Sequence, residues 1–293
     1  MKTRISILIF IVSLAISLLI APLRSGFVSI GEISGFKLSS LVGLFIYTGL
    51  TYYFLKRFSA KLPVWLICLL VVLGLAALTL PIRILNFRGT LASSLEPLIH
   101  IWGVLLALIS YKIPVLFKLP VVILGLIIGC WLSIQGYNYW IHKVGHGTFT
   151  AQVKPQSMDL SFQTDKGDSL SVSTFKGSYL LLDCWYTKCA YCYEKFPELQ
   201  QLYEQELDKT GLLIYALHSR LKDENFASGK NILQRRGYTF PCLSIDINDE
   251  QLRQIGVLKY PTVLLFNPAG ELIAKGNQKM VIDFMVKNGI ITK

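Results

Sequence analysis

Residues 181–192 read Leu-Leu-Asp-Cys-Trp-Tyr-Thr-Lys-Cys-Ala-Tyr-Cys, and the segment Phe196-Pro197-Glu198-Leu199 follows shortly after. The apolar run Tyr179–Trp185 has the length and composition of a buried β-strand. A helix is predicted over 191–207. The pair Cys189 and Cys192 therefore lies where a buried strand gives way to a helix.

This placement of the cysteine pair has a chemical consequence. Free backbone N–H groups and the positive end of the helix dipole stabilise a thiolate at the first cysteine of a helix. Lys188, directly before Cys189, adds a positive charge with the same effect. The two-residue spacing lets the Cys192 thiol attack the Cys189 sulfur within one helical turn. Such a dithiol can form or reduce disulfides through a mixed-disulfide intermediate.

The rest of the C-terminal half predicts one compact domain. Its charges are frequent and balanced, with 17 Lys and Arg against 16 Asp and Glu in residues 150–293. Predicted strands and helices alternate and end in a hairpin followed by a helix. This order is typical of a three-layer α/β/α domain, here predicted over 158–293. A linker is predicted over 144–157, where the composition changes.

The N-terminal half, 1–143, predicts a multispan α-helical membrane domain. Its apolar segments have the length that a helix needs to cross the hydrocarbon core. Five transmembrane helices are predicted, at 5–23, 38–55, 62–82, 90–111 and 119–142. Residues 1–149 carry 12 Lys and Arg against two acidic residues, so +10 of the net charge of +11 belongs to this apolar half. We therefore expect a lipid bilayer as partner, and no nucleic acid.

The basic residues between the predicted spans favour a cytoplasmic N-terminus under the positive-inside rule. Five spans then place the C-terminal domain outside the cytoplasm. The fourth segment is the weakest, since it contains Glu96 and His100, and without it the domain would face the cytoplasm. These two residues share one face of a helix, and ionisable groups inside a membrane are candidates for a functional site.

Three motifs in the C-terminal half resemble the thioredoxin fold and, more narrowly, the TlpA/ResA-like membrane-tethered thiol–disulfide oxidoreductases. The first is the stretch 181–192 with Phe196–Leu199. The second is Arg236-Gly237-Tyr238-Thr239-Phe240-Pro241, which leads into a short strand, and the third is Ile255-Gly256-Val257-Leu258-Lys259-Tyr260-Pro261-Thr262. The resemblance covers 158–293 and does not extend to the membrane half.

The resemblance implies a role for each residue that matches these motifs. Cys189 would be the nucleophile and Cys192 the resolving cysteine, joined in a redox-active disulfide. Asp183 would be the buried acid that accepts the proton of the resolving thiol. Pro261 would be a cis-proline facing the sulfurs, and the backbone of Tyr260 would pair with an extended substrate segment.

We also assign Trp185 and Lys188, on either side of Tyr186 and Thr187, to the substrate-binding surface. Lys188 replaces the tryptophan that usually precedes the first cysteine. The implied partners are protein disulfides or dithiols and an upstream electron donor, and no cofactor is expected. The implied location is the bacterial inner membrane, with the domain on the periplasmic side.

Two other functions remain open from the sequence. The domain can be a binding or assembly module that docks extended segments without catalysis. It can also be a thiol peroxidase, although Tyr186 stands where peroxide-reducing relatives have Thr or Ser. A zinc site is not expected, because Cys184 and Cys242 stand alone in apolar strands. Cys68 and Cys130 lie in apolar spans, where we expect them to pack.

Overall fold

The computed structural model describes residues 1–31, 33–206 and 211–292. The chain divides into two compact units, Met1–Ile141 and His142–Lys293. Lys293, the predicted end of the C-terminal domain, lies outside the described residues.

The first unit is helical. Its described helices, in chain order, are α1 (Lys2–Ile20), α2 (Gly35–Phe58), α3 (Val64–Ala76), α4 (Thr79–Leu85), α5 (Phe87–Thr90), α6 (Leu95–Lys112) and α7 (Val115–Trp131). Helix α8 (Tyr137–His146) begins in this unit and ends beyond its last residue, Ile141. A 3₁₀ turn, Ala21–Ser25, follows α1, and the strands β1 (Ser29–Ile30) and β2 (Ile33–Ser34) form a small hairpin before α2.

Helices of the first unit overlap all five predicted spans. In the described part of the chain, four helical stretches are long and apolar enough to cross a membrane: Lys2–Ser25, Gly35–Phe58, Leu95–Lys112 and Val115–His146. Helices α3 and α4 form a fifth candidate that is bent by 63° at its break. Pro81, in the first turn of α4, has no N–H to bond to the preceding turn, which accounts for a break at this point.

The second unit is built on an eight-stranded sheet in the order β3-β10-β9-β6-β7-β8-β4-β5. The strands are β3 (Gln152–Ser157), β4 (Ser161–Gln163), β5 (Ser169–Ser171), β6 (Tyr179–Trp185), β7 (Leu212–Arg220), β8 (Cys242–Asp246), β9 (Thr262–Phe266) and β10 (Glu271–Gly276). The helices are α9 (Ala190–Glu206), α10 (Ser228–Arg235), α11 (Glu250–Ile255) and α12 (Gln278–Lys287).

Strand β6 lies at the centre of this sheet, parallel to β7 and antiparallel to β9. Its alternate residues enter two separate cores. Leu181 and Trp185 face one core, which α9, α10 and α12 cover, whereas Leu180, Leu182 and Cys184 face the core that α11 covers. The C-terminal half is thus a thioredoxin-like α/β domain with helices on both faces of the sheet.

The region predicted as a linker, 144–157, has more order than expected. Helix α8 continues to His146, and β3 occupies Gln152–Ser157 as an edge strand paired with β10. The side chains of β3 are mostly exposed. The strand is therefore held by backbone hydrogen bonds and lacks the apolar alternation by which strands are detected in a sequence.

The buried centre of β9 gives a test of the packing. Leu264→Ala removes a fully buried side chain and should lower the free energy of unfolding of the second unit by about 2–5 kcal/mol. Urea unfolding of the full chain, followed by hydrogen exchange of the β6 amides, measures the change. Leu258→Ala, at a site 73% exposed, is the matched control and should shift it by less than about 0.5 kcal/mol. Equal effects of the two variants would contradict the described core.

Candidate active site

Cys189 and Cys192 are joined by a disulfide, and both are buried. Cys189 directly precedes α9, as the sequence predicts. The backbone N–H of Cys192 donates to Sγ of Cys189 at 3.1 Å. The same N–H also donates to the carbonyl oxygen of Cys189 at 3.1 Å, so the first turn of α9 shares this N–H between the carbonyl and the sulfur of the first cysteine. In the reduced protein this contact favours the thiolate at Cys189, together with the positive end of the helix.

Asp183 is fully buried on β6. It lies two residues after Leu181 and two before Trp185, so all three side chains point to the same face of the sheet. This face carries the core that contains Cys189 and Cys192. Neither carboxylate oxygen has a hydrogen-bond partner among the described residues. Burial raises the pKa of Asp183 to about 7. A carboxyl with such a pKa can take up or release a proton near neutral pH.

Trp185 corrects the sequence interpretation. It is 0% exposed, and its ring centroid lies 5.1 Å from that of Phe196 and 4.9 Å from that of His218. A residue so enclosed has no surface to offer to a substrate. Trp185 therefore packs beneath the site, because β6 is flanked by strands on both sides and covered by α9.

The other residues assigned to substrate binding lie nearer the surface. Lys188 is exposed, and Tyr260 is half-buried beside the buried Pro261. The peptide bond between Tyr260 and Pro261 is cis, as the resemblance implies. The rings of Tyr186 and Tyr260 meet edge to face with centroids 5.2 Å apart. This contact links the loop before the cysteine pair to the loop that carries Pro261.

His218 and Glu224 were not predicted. Nε2 of His218 lies 3.2 Å from Oε2 of Glu224, and the imidazole packs against Trp185. Burial lowers the pKa of His218, and the charge of Glu224 opposes this shift. A signal was available, because His218 ends a predicted strand and the carboxyl ends of parallel strands meet at one sheet edge. The sequence pattern alone does not tell that β7 lies next to β6 in the sheet.

The two remaining cysteines of this unit, Cys184 and Cys242, are free thiols. Cys184 is buried in the core on the opposite face of the sheet, and burial raises its pKa well above the ordinary value. Cys242 is half-buried and lines a cavity of about 810 Å³ between α10 and the start of β8. None of the predicted site residues lines this cavity, so it belongs to another part of the domain.

Comparisons with known proteins agree with this geometry. Residues 153–275 match the AhpC/TSA family. The thiol-disulfide oxidoreductase ResA of Geobacillus kaustophilus is 32% identical over 144 residues, which cover 48% of this chain and 78% of that protein. The protein of the same name from Bacillus thuringiensis is 31% identical over 115 residues, covering 39% of this chain and 64% of the relative.

Among solved structures, the thioredoxin domain of a thiol-disulfide oxidoreductase from Bacteroides vulgatus aligns with a TM-score of 0.40 and 23% identity. The alignment covers 47% of this chain and 97% of that domain.

The raised pKa of Asp183 predicts a pH-dependent stability. The folded state holds the proton up to pH about 7, whereas an unfolded Asp loses it near pH 4. The free energy of unfolding of the oxidised chain should therefore fall as pH rises from about 4 to 7. In Asp183→Asn this part of the pH dependence should be absent, and the variant should be more stable at pH 8 by roughly 3–5 kcal/mol.

Urea unfolding at several pH values measures this dependence. The exposed Asp283 supplies the matched control, and Asp283→Asn should keep the pH dependence of the unchanged chain. A pH profile of Asp183→Asn that parallels that of the unchanged chain would show that the carboxyl does not titrate in this range.

Proposed function

Since this chain belongs, through its C-terminal half, to the ResA-like thiol-disulfide oxidoreductases, we propose that Cys189 and Cys192 reduce disulfides of other proteins. The observation that carries the proposal is the disulfide at the start of α9, with the Cys192 N–H directed at the Cys189 sulfur. The buried carboxyl of Asp183 on the same face of the sheet supports it.

The first step is attack on the substrate. In the reduced domain, the Cys189 thiolate attacks one sulfur of a substrate disulfide. A bond forms between Cys189 and that sulfur, the substrate disulfide breaks, and the leaving sulfur departs as a thiolate that takes a proton from water. The N–H groups at the start of α9 and the charge of Lys188 stabilise the attacking thiolate.

The second step releases the substrate. Asp183 accepts the proton of the Cys192 thiol, and the Cys192 sulfur attacks Cys189. The domain disulfide forms, the bond between Cys189 and the substrate breaks, and the second substrate sulfur leaves as a thiolate that takes a proton from water, while Asp183 returns its proton to solvent. The substrate has gained two electrons and the domain has lost two, so an upstream dithiol donor must reduce the pair again.

Substrate docking is proposed at the loop that contains Pro261. An extended segment would pair with the backbone of Tyr260 beside Pro261, as in the family. Tyr186 and the exposed Lys188 border the same surface, and Lys188 favours segments with an acidic residue near the disulfide. Trp185 has no direct part in this contact.

We further propose that the helices of the first unit anchor the chain in a bacterial inner membrane. The apolar helices and the basic residues near their ends support this placement. Five crossings, with α3 and α4 counted as one, put the N-terminus in the cytoplasm and the thioredoxin-like domain in the periplasm.

Substitution of the two cysteines separates the two steps. With Cys189→Ser, reduction of insulin disulfides by the full chain in detergent should stop, because no nucleophile remains. With Cys192→Ser, the same reaction should accumulate a mixed disulfide at Cys189, visible on a non-reducing gel. Cys242→Ser is the matched control and should keep full turnover. Full activity of both Cys189→Ser and Cys192→Ser would overturn the assignment of the reaction to this pair, whereas no activity in the unchanged chain would favour a binding module.

Reporter fusions test the topology. Alkaline phosphatase, which is active only outside the cytoplasm, should be active when fused after the last residue and inactive when fused after Lys61. Green fluorescent protein at the same two positions should give the opposite pattern. An inactive phosphatase at the C-terminus would place the domain in the cytoplasm and remove one of the five crossings.

A further inference from the structure

The first unit contains a recess of about 130 Å³ whose lining includes two arginines and one glutamate, Arg24, Arg83 and Glu96. Phe36 and Ile82 add apolar walls. The whole recess lies within Met1–Ile141, far in sequence from the cysteine pair. Charged side chains in an apolar helical unit are costly to keep there, and such groups commonly mark a binding site.

The carboxylate of the recess is already satisfied by protein groups. Nε of Arg24 donates to both oxygens of Glu96, at 2.8 and 3.0 Å, and the hydroxyl of Ser39 donates to one of them. One helical turn after Glu96, the ring of His100 contacts the carbonyl oxygen of Ser39 at 3.1 Å. Glu96 is thus held firmly and neutralises one guanidinium, that of Arg24.

Among the described residues, no carboxylate lies within salt-bridge distance of the Arg83 guanidinium, and Glu96 pairs with Arg24 instead. The terminal nitrogens of Arg83 donate to the carbonyl oxygens of Thr90 and Ser93 and to the hydroxyl of Ser94, all of them neutral acceptors. Its Nε is buried, with no acceptor in the part of the chain that the structure describes. Among the same residues, the Nη groups of Arg24 also find no acceptor. Among the described residues that line it, the recess therefore has N–H donors without acceptors and two guanidinium groups against one carboxylate.

The surroundings of Arg83 are apolar and exposed. Ile84 and Leu85, its neighbours on the bent helix α4, are 71% and 87% exposed, and Ile82 and Phe87 are exposed as well. A cation with free donors beside uncovered aliphatic side chains matches an amphiphile that has a negative head and hydrocarbon chains.

We propose that this recess binds the phosphate group of an anionic phospholipid, with the acyl chains lying against α4. The proposal rests on the membrane placement proposed above. The phosphate accepts hydrogen bonds from Arg24 and Arg83 and supplies the missing negative charge. Thr90 and Ser93 also line the recess, but their hydroxyls already donate to backbone carbonyl oxygens, so the two arginines are the donors proposed for the phosphate.

Native mass spectrometry of the delipidated full chain in detergent tests the site. The probes are dioleoyl phosphatidylglycerol, which is anionic, and dioleoyl phosphatidylcholine, which carries no net charge. Phosphatidylglycerol should bind about fivefold more tightly. Arg83→Gln should remove this preference, whereas Glu96→Gln should strengthen it, because the Arg24 charge is then no longer neutralised.

Arg88→Gln is the matched control, since Arg88 is an exposed arginine five residues further along the chain. It should keep the preference for phosphatidylglycerol. Equal binding of the two lipids, or an effect of Arg88→Gln equal to that of Arg83→Gln, would overturn the proposal in favour of general surface attraction. The opposite directions expected for Arg83→Gln and Glu96→Gln keep the test decisive if one variant folds poorly.

Two further experiments distinguish a lipid site from a small-anion site and test the membrane placement. Millimolar inorganic phosphate should displace little phosphatidylglycerol, because it has no acyl chain, and full displacement would mean a small-anion site in place of a lipid site. Alkaline carbonate should leave the chain in the membrane fraction. Its release would overturn the membrane placement, whereas retention with no lipid preference would overturn only the lipid site.

Discussion

The candidate site depends on a constraint that acts on β6, a strand paired on both edges and buried on both faces. Side chains of a strand alternate strictly, so each residue of β6 must serve one core or the other. Asp183 and Trp185 serve the core that contains the cysteine pair, and Cys184 serves the other. Asp183, Trp185 and the disulfide share one face of the sheet because of this alternation.

Much of this arrangement can be predicted from local sequence. The strand–cysteine–helix order, the burial of Asp183 and the cis bond before Pro261 follow from spacing and from the resemblance that the spacing carries. Trp185 shows where such reasoning ends, since proximity to a motif does not tell which side chains remain exposed. His218 and Glu224 depend on which strands are neighbours, and β3 depends on backbone pairing alone.

The two units treat buried charge in different ways. In the thioredoxin-like domain, Asp183 has no hydrogen-bond partner among the described residues, and burial raises its pKa. In the helical unit, the carboxylate of Glu96 accepts hydrogen bonds from Arg24 and from the hydroxyl of Ser39. The ring of His100 contacts the backbone carbonyl of the same serine. The first arrangement suits a group that must change its protonation, and the second suits one that holds helices together.

Cys184 lies only five residues before Cys189, yet it occupies the opposite side of the sheet. A third thiol so near in sequence would offer a wrong disulfide partner in each turnover of the proposed dithiol–disulfide cycle. The sheet separates Cys184 from the core that contains the disulfide, and burial raises the pKa of the Cys184 thiol, which keeps it protonated and unreactive. In the proposed cycle, this separation would keep the disulfide exchange confined to Cys189 and Cys192.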